Sequence, residues 1–172
     1  MDVELRKWTM EGKEDIRRLC SQVDRAFLSD RLPEPYTDAD AEWWIRMVEE
    51  KDGTEGLWRA IFLDGSCVGN ISIEKKGDVY RRDGEIGYMM EKNQENKGIM
   101  TEAVKKLCRL AFESQTFDLA RITGCVYAPN TASRRVLEKS GFQMEGILRN
   151  GVWKNGKLYD LCIYGILKER VL

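Results

Sequence analysis

Glu85-Ile-Gly-Tyr-Met-Met-Glu-Lys-Asn-Gln-Glu-Asn-Lys-Gly-Ile-Met-Thr-Glu-Ala103 is the stretch on which the reading of this chain turns. Glu85 to Met90 reads as a strand and Glu91 to Lys97 as a polar loop. Gly98 then opens a helix that runs to about Ser114, with Met100, Ala103, Val104, Leu107, Leu110 and Ala111 at helical spacing. Strand, loop and helix N-terminus together can hold an anion. The first helical turn leaves backbone N–H groups without partners, and the helix dipole adds partial positive charge there. A glycine at that mouth lets a bulky phosphate approach the backbone. The loop is neither a Walker A sequence nor a GxGxxG fingerprint, because it lacks both Gly-Lys-Ser/Thr and the paired glycines.

The flanking segments place this unit in an α+β fold. Val3 to Trp8 alternates as a first strand, and Lys13 to Val23 puts Ile16, Leu19, Cys20 and Val23 on one helical face. Pro33 and Pro35 keep Ser29 to Thr37 as a loop. Thr37 or Asp38 caps a helix over Ala39 to Glu50, whose apolar residues are Trp43, Trp44, Met47 and Val48. Two strands, Leu57 to Leu63 and Cys67 to Glu74, flank a tight turn at Asp64-Gly65. After the central unit come a strand at Arg121 to Tyr127 and a short helix at Ala132 to Lys139, capped by Asn130 or Thr131 and stopped at Ser140-Gly141. Strands at Phe142 to Leu148 and Leu158 to Leu167 finish the chain, with turn signals at Asn150-Gly151 and Asn155-Gly156. The order βααβββαβαββ predicts a mixed sheet: antiparallel strands first, then a parallel unit across the long helix.

Bulk properties narrow the chemistry. At 172 residues the length suits a single domain, 1–172, with a real core. A net charge of −1 gives no electrostatic case for nucleic acid. No run of eighteen apolar residues suggests a membrane span, and Met1-Asp-Val-Glu-Leu-Arg-Lys has no apolar core of the signal-peptide kind. The five cysteines are odd in number and form no CxxC pair, which fits reduced thiols in a cytoplasm and argues against a disulfide frame or zinc site. With no histidine, Ser-His-Asp and Cys-His catalysis are excluded, and no metal site is expected. Acid–base work falls to Glu, Asp, Tyr, Lys, Cys or Ser.

A second strand-to-helix junction follows about thirty residues after the first: Asn130-Thr-Ala-Ser-Arg-Arg-Val-Leu-Glu-Lys-Ser-Gly-Phe142. Together with Glu85-Ile-Gly-Tyr88 and Asn96-Lys-Gly-Ile-Met-Thr-Glu-Ala103, it resembles the GNAT superfamily of acetyl-CoA-dependent N-acetyltransferases, in its RimJ/RimL-like branch. The likeness covers nearly the whole chain. It implies a mixed, mostly antiparallel sheet of about seven strands with a central V-shaped splay, flanked by about four helices. It also implies that cofactor pyrophosphate sits on the backbone from Asn96, Lys97, Gly98, Ile99 and Met100 to Thr101. Pantetheine would pair along Tyr88, Met89 and Met90, with a backbone N–H near Met89 facing the oxyanion. The superfamily's phosphate loop resembles Arg/Gln-x-x-Gly-x-Gly/Ala. Here Glu95 and Met100 occupy its first and last positions, so the site leans on backbone and dipole, with Gln94 as a side-chain donor.

The same resemblance suggests roles for individual residues. Asn130 and Ser133 flank the sulfur end, and Ser133, then Tyr127, is the candidate acid for the leaving thiolate. Their simpler readings are a helix cap, a first-turn residue and a packing aromatic. Glu85 is a candidate base, with Asp160 as rival, or else a rim residue paired with Arg81 or Arg82. Cys125 and Cys162 read as buried small apolar residues. Arg134 can reach a phosphate. Tyr36, Trp44 and Trp153 are candidates for the acceptor side. The expected reaction is direct acetyl transfer to a primary amine, either a protein N-terminus or a small molecule. The alternative is a CoA-binding regulatory or interaction domain without catalysis. The choice between monomer and homodimer is not written in the sequence.

Overall fold

A computed structural model describes residues 1–172. Seven strands form one sheet in the order β1-β2-β3-β4-β5-β7-β6. They are β1 (Val3–Lys7), β2 (Gly56–Leu63), β3 (Ser66–Lys75), β4 (Asp83–Met90), β5 (Arg121–Tyr127), β6 (Gln143–Lys154) and β7 (Lys157–Leu167). Every neighbouring pair is antiparallel except β4 and β5, which run parallel. The helices are α1 (Lys13–Gln22), α2 (Asp38–Lys51), α3 (Ile99–Glu113) and α4 (Thr131–Lys139). Helix α3 is the crossover that a parallel pair requires.

Local chemistry accounts for the element ends. Asp64 and Gly65 both have positive φ (49° and 83°), the geometry that a two-residue hairpin with the right twist demands. Helix α2 begins with a capping box: Thr37 N–H donates to Asp40 Oδ2 at 2.7 Å, and Asp40 N–H donates to Thr37 Oγ1 at 3.3 Å. Gly141 takes φ 98° after the last turn of α4.

Each face of the sheet carries its own core. On one face Ile71, Ile73, Ile86, Ile122, Val126, Cys162 and Tyr164 pack against α3 and α4. On the other, Trp58, Ala60 and Cys67 pack against Ile16, Leu19, Ala41 and Ile45 of α1 and α2. The strand alternation of β4 therefore sends Ile86 and Tyr88 toward α3 and α4, and Met89 toward α1 and α2.

Three expectations change. Asn150-Gly151 does not end a strand. It is an irregularity inside a continuous β6, between Leu148 and Val152, where Asn150 takes φ 54° and its N–H donates to Asp160 Oδ1 at 2.9 Å. Trp43 is 68% exposed, because Ala41, Ile45 and Val48 form the inward stripe of α2. Leu110 is also exposed, at the edge of the buried face of α3.

Candidate active site

The cradle is built from backbone. Asn96 (φ 61°) and Gly98 (φ 81°) are both left-handed, and Gly98 is the N-cap of α3. This turn and the first helical turn leave the N–H groups from Asn96 to Thr101 without any acceptor in the protein; the next, on Glu102, donates to Gly98 O at 3.1 Å. A row of unpaired N–H groups at a helix N-terminus attracts an anion through local dipoles and the macrodipole together. Ile99 and Met100 are buried in the core, so only their backbone reaches the cradle. The bulk of Met100, at the last position of the loop pattern, thus lies in the core and away from the cradle. Lys97 Nζ donates to Gln94 Oε1 at 3.1 Å, leaving the Gln94 amide hydrogens free. Arg18 on α1 anchors the start of the loop: its guanidinium bonds Glu91, and it also donates to Cys67 O at 2.9 Å.

Beside the cradle the sheet opens. The β4–β5 register runs only from Asp83↔Arg121 to Ile86↔Gly124, so Gly87 to Met90 and Cys125 to Tyr127 are not paired with each other. Backbone direction shows which groups line this gap. Asp83 O accepts from Lys76 N and Glu91 N donates to Val68 O, both on the β3 side. Arg82 O accepts from Ala120 and Arg121 on the β5 side. Alternation then turns the polar groups of Tyr88 and Met90 into the gap and those of Met89 toward β3. The Met89 N–H itself thus faces β3, and the free backbone groups nearest it in the gap are those of Tyr88 and Met90. Across the gap, Ala128 N donates to Asp160 O on β7, so Cys125 and Tyr127 present their backbone groups to β4.

The α4 side of the gap carries a paired hydroxyl. Asn130 Oδ1 accepts from Ser133 N–H at 3.3 Å, which fixes the first turn of α4. Ser133 Oγ lies 2.7 Å from the Tyr88 hydroxyl. The opposite face carries Glu85 and Cys125, both exposed, with Tyr127 and Tyr159 beyond. Burial, then the neighbouring Glu85 carboxylate, pushes the Cys125 thiol up to about 12. Asp83 on this face is already saturated: it takes Lys76 Nζ at 2.6 Å and Thr123 Oγ1 at 2.8 Å. A segment from Phe27 to Asp30 roofs the far end. Tyr127 donates to Leu28 O at 3.1 Å, Phe27 meets Tyr127 edge-on at 5.8 Å, and Lys154 Nζ reaches Asp30 Oδ1 at 2.7 Å.

A helix start with unpaired N–H groups stands beside a parted parallel pair in a chain that has known relatives. Residues 2–143 match the family model of the acetyltransferase (GNAT) domain. The chain belongs to the GNAT acetyltransferase family. It is 39% identical over 126 residues to the putative ribosomal N-acetyltransferase YdaF of Bacillus subtilis, a match covering 73% of this chain and 66% of the relative. That match thus spans just under two thirds of the relative's own length. A probable acetyltransferase of known structure aligns over 98% of this chain and 94% of its own, with TM-score 0.78 and 32% identity. RimL, a ribosomal alpha-N-protein acetyltransferase in complex with coenzyme A, aligns over 96% of this chain and 92% of its own, with TM-score 0.82; at 18% identity it speaks to the fold.

Within this GNAT frame the sequence-derived residues divide. The cradle residues, Tyr88, Met90, Asn130 and Ser133 gather at the gap, and Glu85 stands on the opposite face at its closed end. Arg134 turns inward instead: Nε donates to Tyr164 OH at 3.1 Å and a terminal nitrogen to Ala128 O at 3.2 Å. The Tyr127 hydroxyl is occupied by Leu28 O. Asp160 is committed to the β6 irregularity. Glu85 pairs with neither Arg81, which donates to Asp78 O, nor Arg82, which bonds Asp118. Trp44 is half-buried edge-on against Trp8 at 5.5 Å, Tyr36 packs in the same cluster, and Trp153 is 66% exposed on β6. Cys162 is buried as expected, but Cys125 is exposed, because β5 turns alternate residues toward the open face. The contacts that Lys154, Phe27 and Tyr159 make are not apparent in the sequence, since nothing local marks contacts made across the chain.

The Cys125 environment has a measurable consequence. A thiol raised from 9.0 to about 12 holds roughly a thousandfold less thiolate near neutral pH. Iodoacetamide should label Cys125 slowly at pH 8 despite its exposure, with a rate that climbs as pH approaches the raised pKa. Labelling at the rate of an ordinary free thiol would contradict this.

Proposed function

We propose that this chain, as one domain over residues 1–172, transfers the acetyl group of acetyl-CoA directly to a primary amine. The parted strands support this reading most. They open a passage between a donor face, with the cradle and Ser133, and an acceptor face, with Glu85. Bound acetyl-CoA supplies an acyl group activated by a thiol leaving group. The N–H row from Asn96 to Thr101 holds the pyrophosphate. Tyr88 and Met90 hold the pantetheine amides as an added strand would, and a free N–H there faces the developing oxyanion. Glu85 accepts the amine's proton, directly or through water. Ser133 protonates the departing sulfur. Cys125 stays protonated and takes no acyl group, so Cys125→Ser should retain turnover.

The acceptor is a protein N-terminus of the ribosomal-protein kind. This rests on the name of the 39%-identical relative and on a cluster of Phe27, Tyr127 and Tyr159 on the sheet face that carries Glu85. The free thiols suit a reducing cytoplasm, and no helix is long and apolar enough to cross a membrane. Calorimetric titration with acetyl-CoA, then thiol release over N-terminal peptides, polyamines and aminoglycosides, tests the reading. Binding with preferred turnover of N-terminal peptides is expected. Preferred turnover of a small amine would overturn the acceptor assignment. Binding with no turnover would point to a CoA-binding regulatory domain, and absence of binding would sink both.

A further inference from the structure

Tyr88 has a hydroxyl that backbone pairing does not explain. Its side chain lies against the α3–α4 core, yet the hydroxyl emerges beneath the first turn of α4. The hydroxyl contacts Ser133 Oγ at 2.7 Å and Ser133 O at 3.3 Å, and makes no other hydrogen bond. Ser133 is itself fixed through Asn130. Two hydroxyls 45 residues apart in sequence are thus held in one short bond at the edge of the gap.

We propose that Tyr88 is a positioning residue for Ser133: its hydroxyl orients Ser133 Oγ and resupplies the proton that Ser133 gives to the departing sulfur. This rests on Ser133 being the acid in the reading above. An aliphatic alcohol is a far weaker acid than a thiol, so Ser133 alone is poorly matched to the task; a phenol is closer. As the C–S bond breaks, its electron pair goes to sulfur. The Ser133 O–H breaks as S–H forms, and the Tyr88 O–H breaks as a new Ser133 O–H forms. The phenolate regains a proton from water, and the amine's proton leaves through Glu85. Burial pushes the resting phenol up to about 12, so Tyr88 is neutral and holds its proton at physiological pH. Hydrogen bonds in series within a low-dielectric site also strengthen one another.

The test compares Tyr88→Phe, Ser133→Ala and the double variant. The acceptor is the best amine of the panel, or hydroxylamine if none is turned over. With acetyl-CoA, Tyr88→Phe should lower kcat by about 10- to 100-fold with its KM for acetyl-CoA nearly unchanged. Ser133→Ala should fall at least as far, and the double variant no further. The selenium analogue of acetyl-CoA releases a selenol that is ionised at neutral pH and needs no proton. With that donor Tyr88→Phe should recover wild-type turnover. A full kcat in Tyr88→Phe, or the same loss with both donors, would overturn the Tyr88 role. A full kcat in Ser133→Ala would instead overturn the assignment of Ser133.

Discussion

Gly98→Val is expected to abolish measurable acetyl-CoA binding while leaving the protein folded. Gly98 sits at φ 81°, where a β-branched residue is strained by an amount on the order of 1–3 kcal/mol. A Cβ built there meets only Met1 Cε, at 3.8 Å, so the fold has room for it. Relief of the strain would turn the N–H row from Asn96 to Thr101 out of line. Calorimetry should show a dissociation constant raised at least about a hundredfold, which corresponds to roughly 2.7 kcal/mol. Thermal unfolding should fall by only about 2–4 °C per kcal/mol of strain. A folded variant that binds normally would put the cradle elsewhere.

Glu85→Gln is expected to cut kcat by about 10²- to 10⁴-fold with little change in acetyl-CoA affinity. The side chain keeps its size and loses only the capacity to take a proton. On this face Asp83 is occupied by Lys76 and Thr123; Asp160 alternates with Cys162 and Tyr164 onto the other face, where Asn150 N–H holds it. Glu85 forms no ion pair and shares its face of the sheet with Cys125 next to the gap. Its cross-strand neighbour on β3 is Glu74, one strand farther from the gap. Glu74→Gln therefore serves as the control and should stay near wild type. The Glu85→Gln rate should also depend more steeply on pH, since only amine already deprotonated in solution can react. If the two variants behave alike, Glu85 is a rim residue.

Much of the fold was legible because its signals are local. The expected strand and helix order is the observed one. Turn glycines, prolines and helix caps act within a few residues, and hydrophobic periodicity reports which side of an element is buried. The cradle was legible for the same reason: a glycine between a strand and a helix is a local arrangement. Asn150-Gly151 misled because a turn dipeptide in a two-stranded ladder can be absorbed as a bulge when a partner, here Asp160, satisfies the freed N–H. Cys125 misled because an apolar-looking strand has two faces, and only the packing says which is covered.

By itself, then, the sequence determined the element order, the glycine-capped cradle and the residue types available for acid–base work. The tertiary structure alone decided where β4 and β5 part, and that Tyr88 and Met90 rather than Met89 line the gap. It alone sank Met100 into the core, joined Tyr88 to Ser133 and tied Lys154 to Asp30 across 124 residues. The physical reason is one of range. Backbone preference and capping are set by neighbours along the chain, whereas a hydrogen bond between distant side chains exists only once the sheet has brought their strands and helices together.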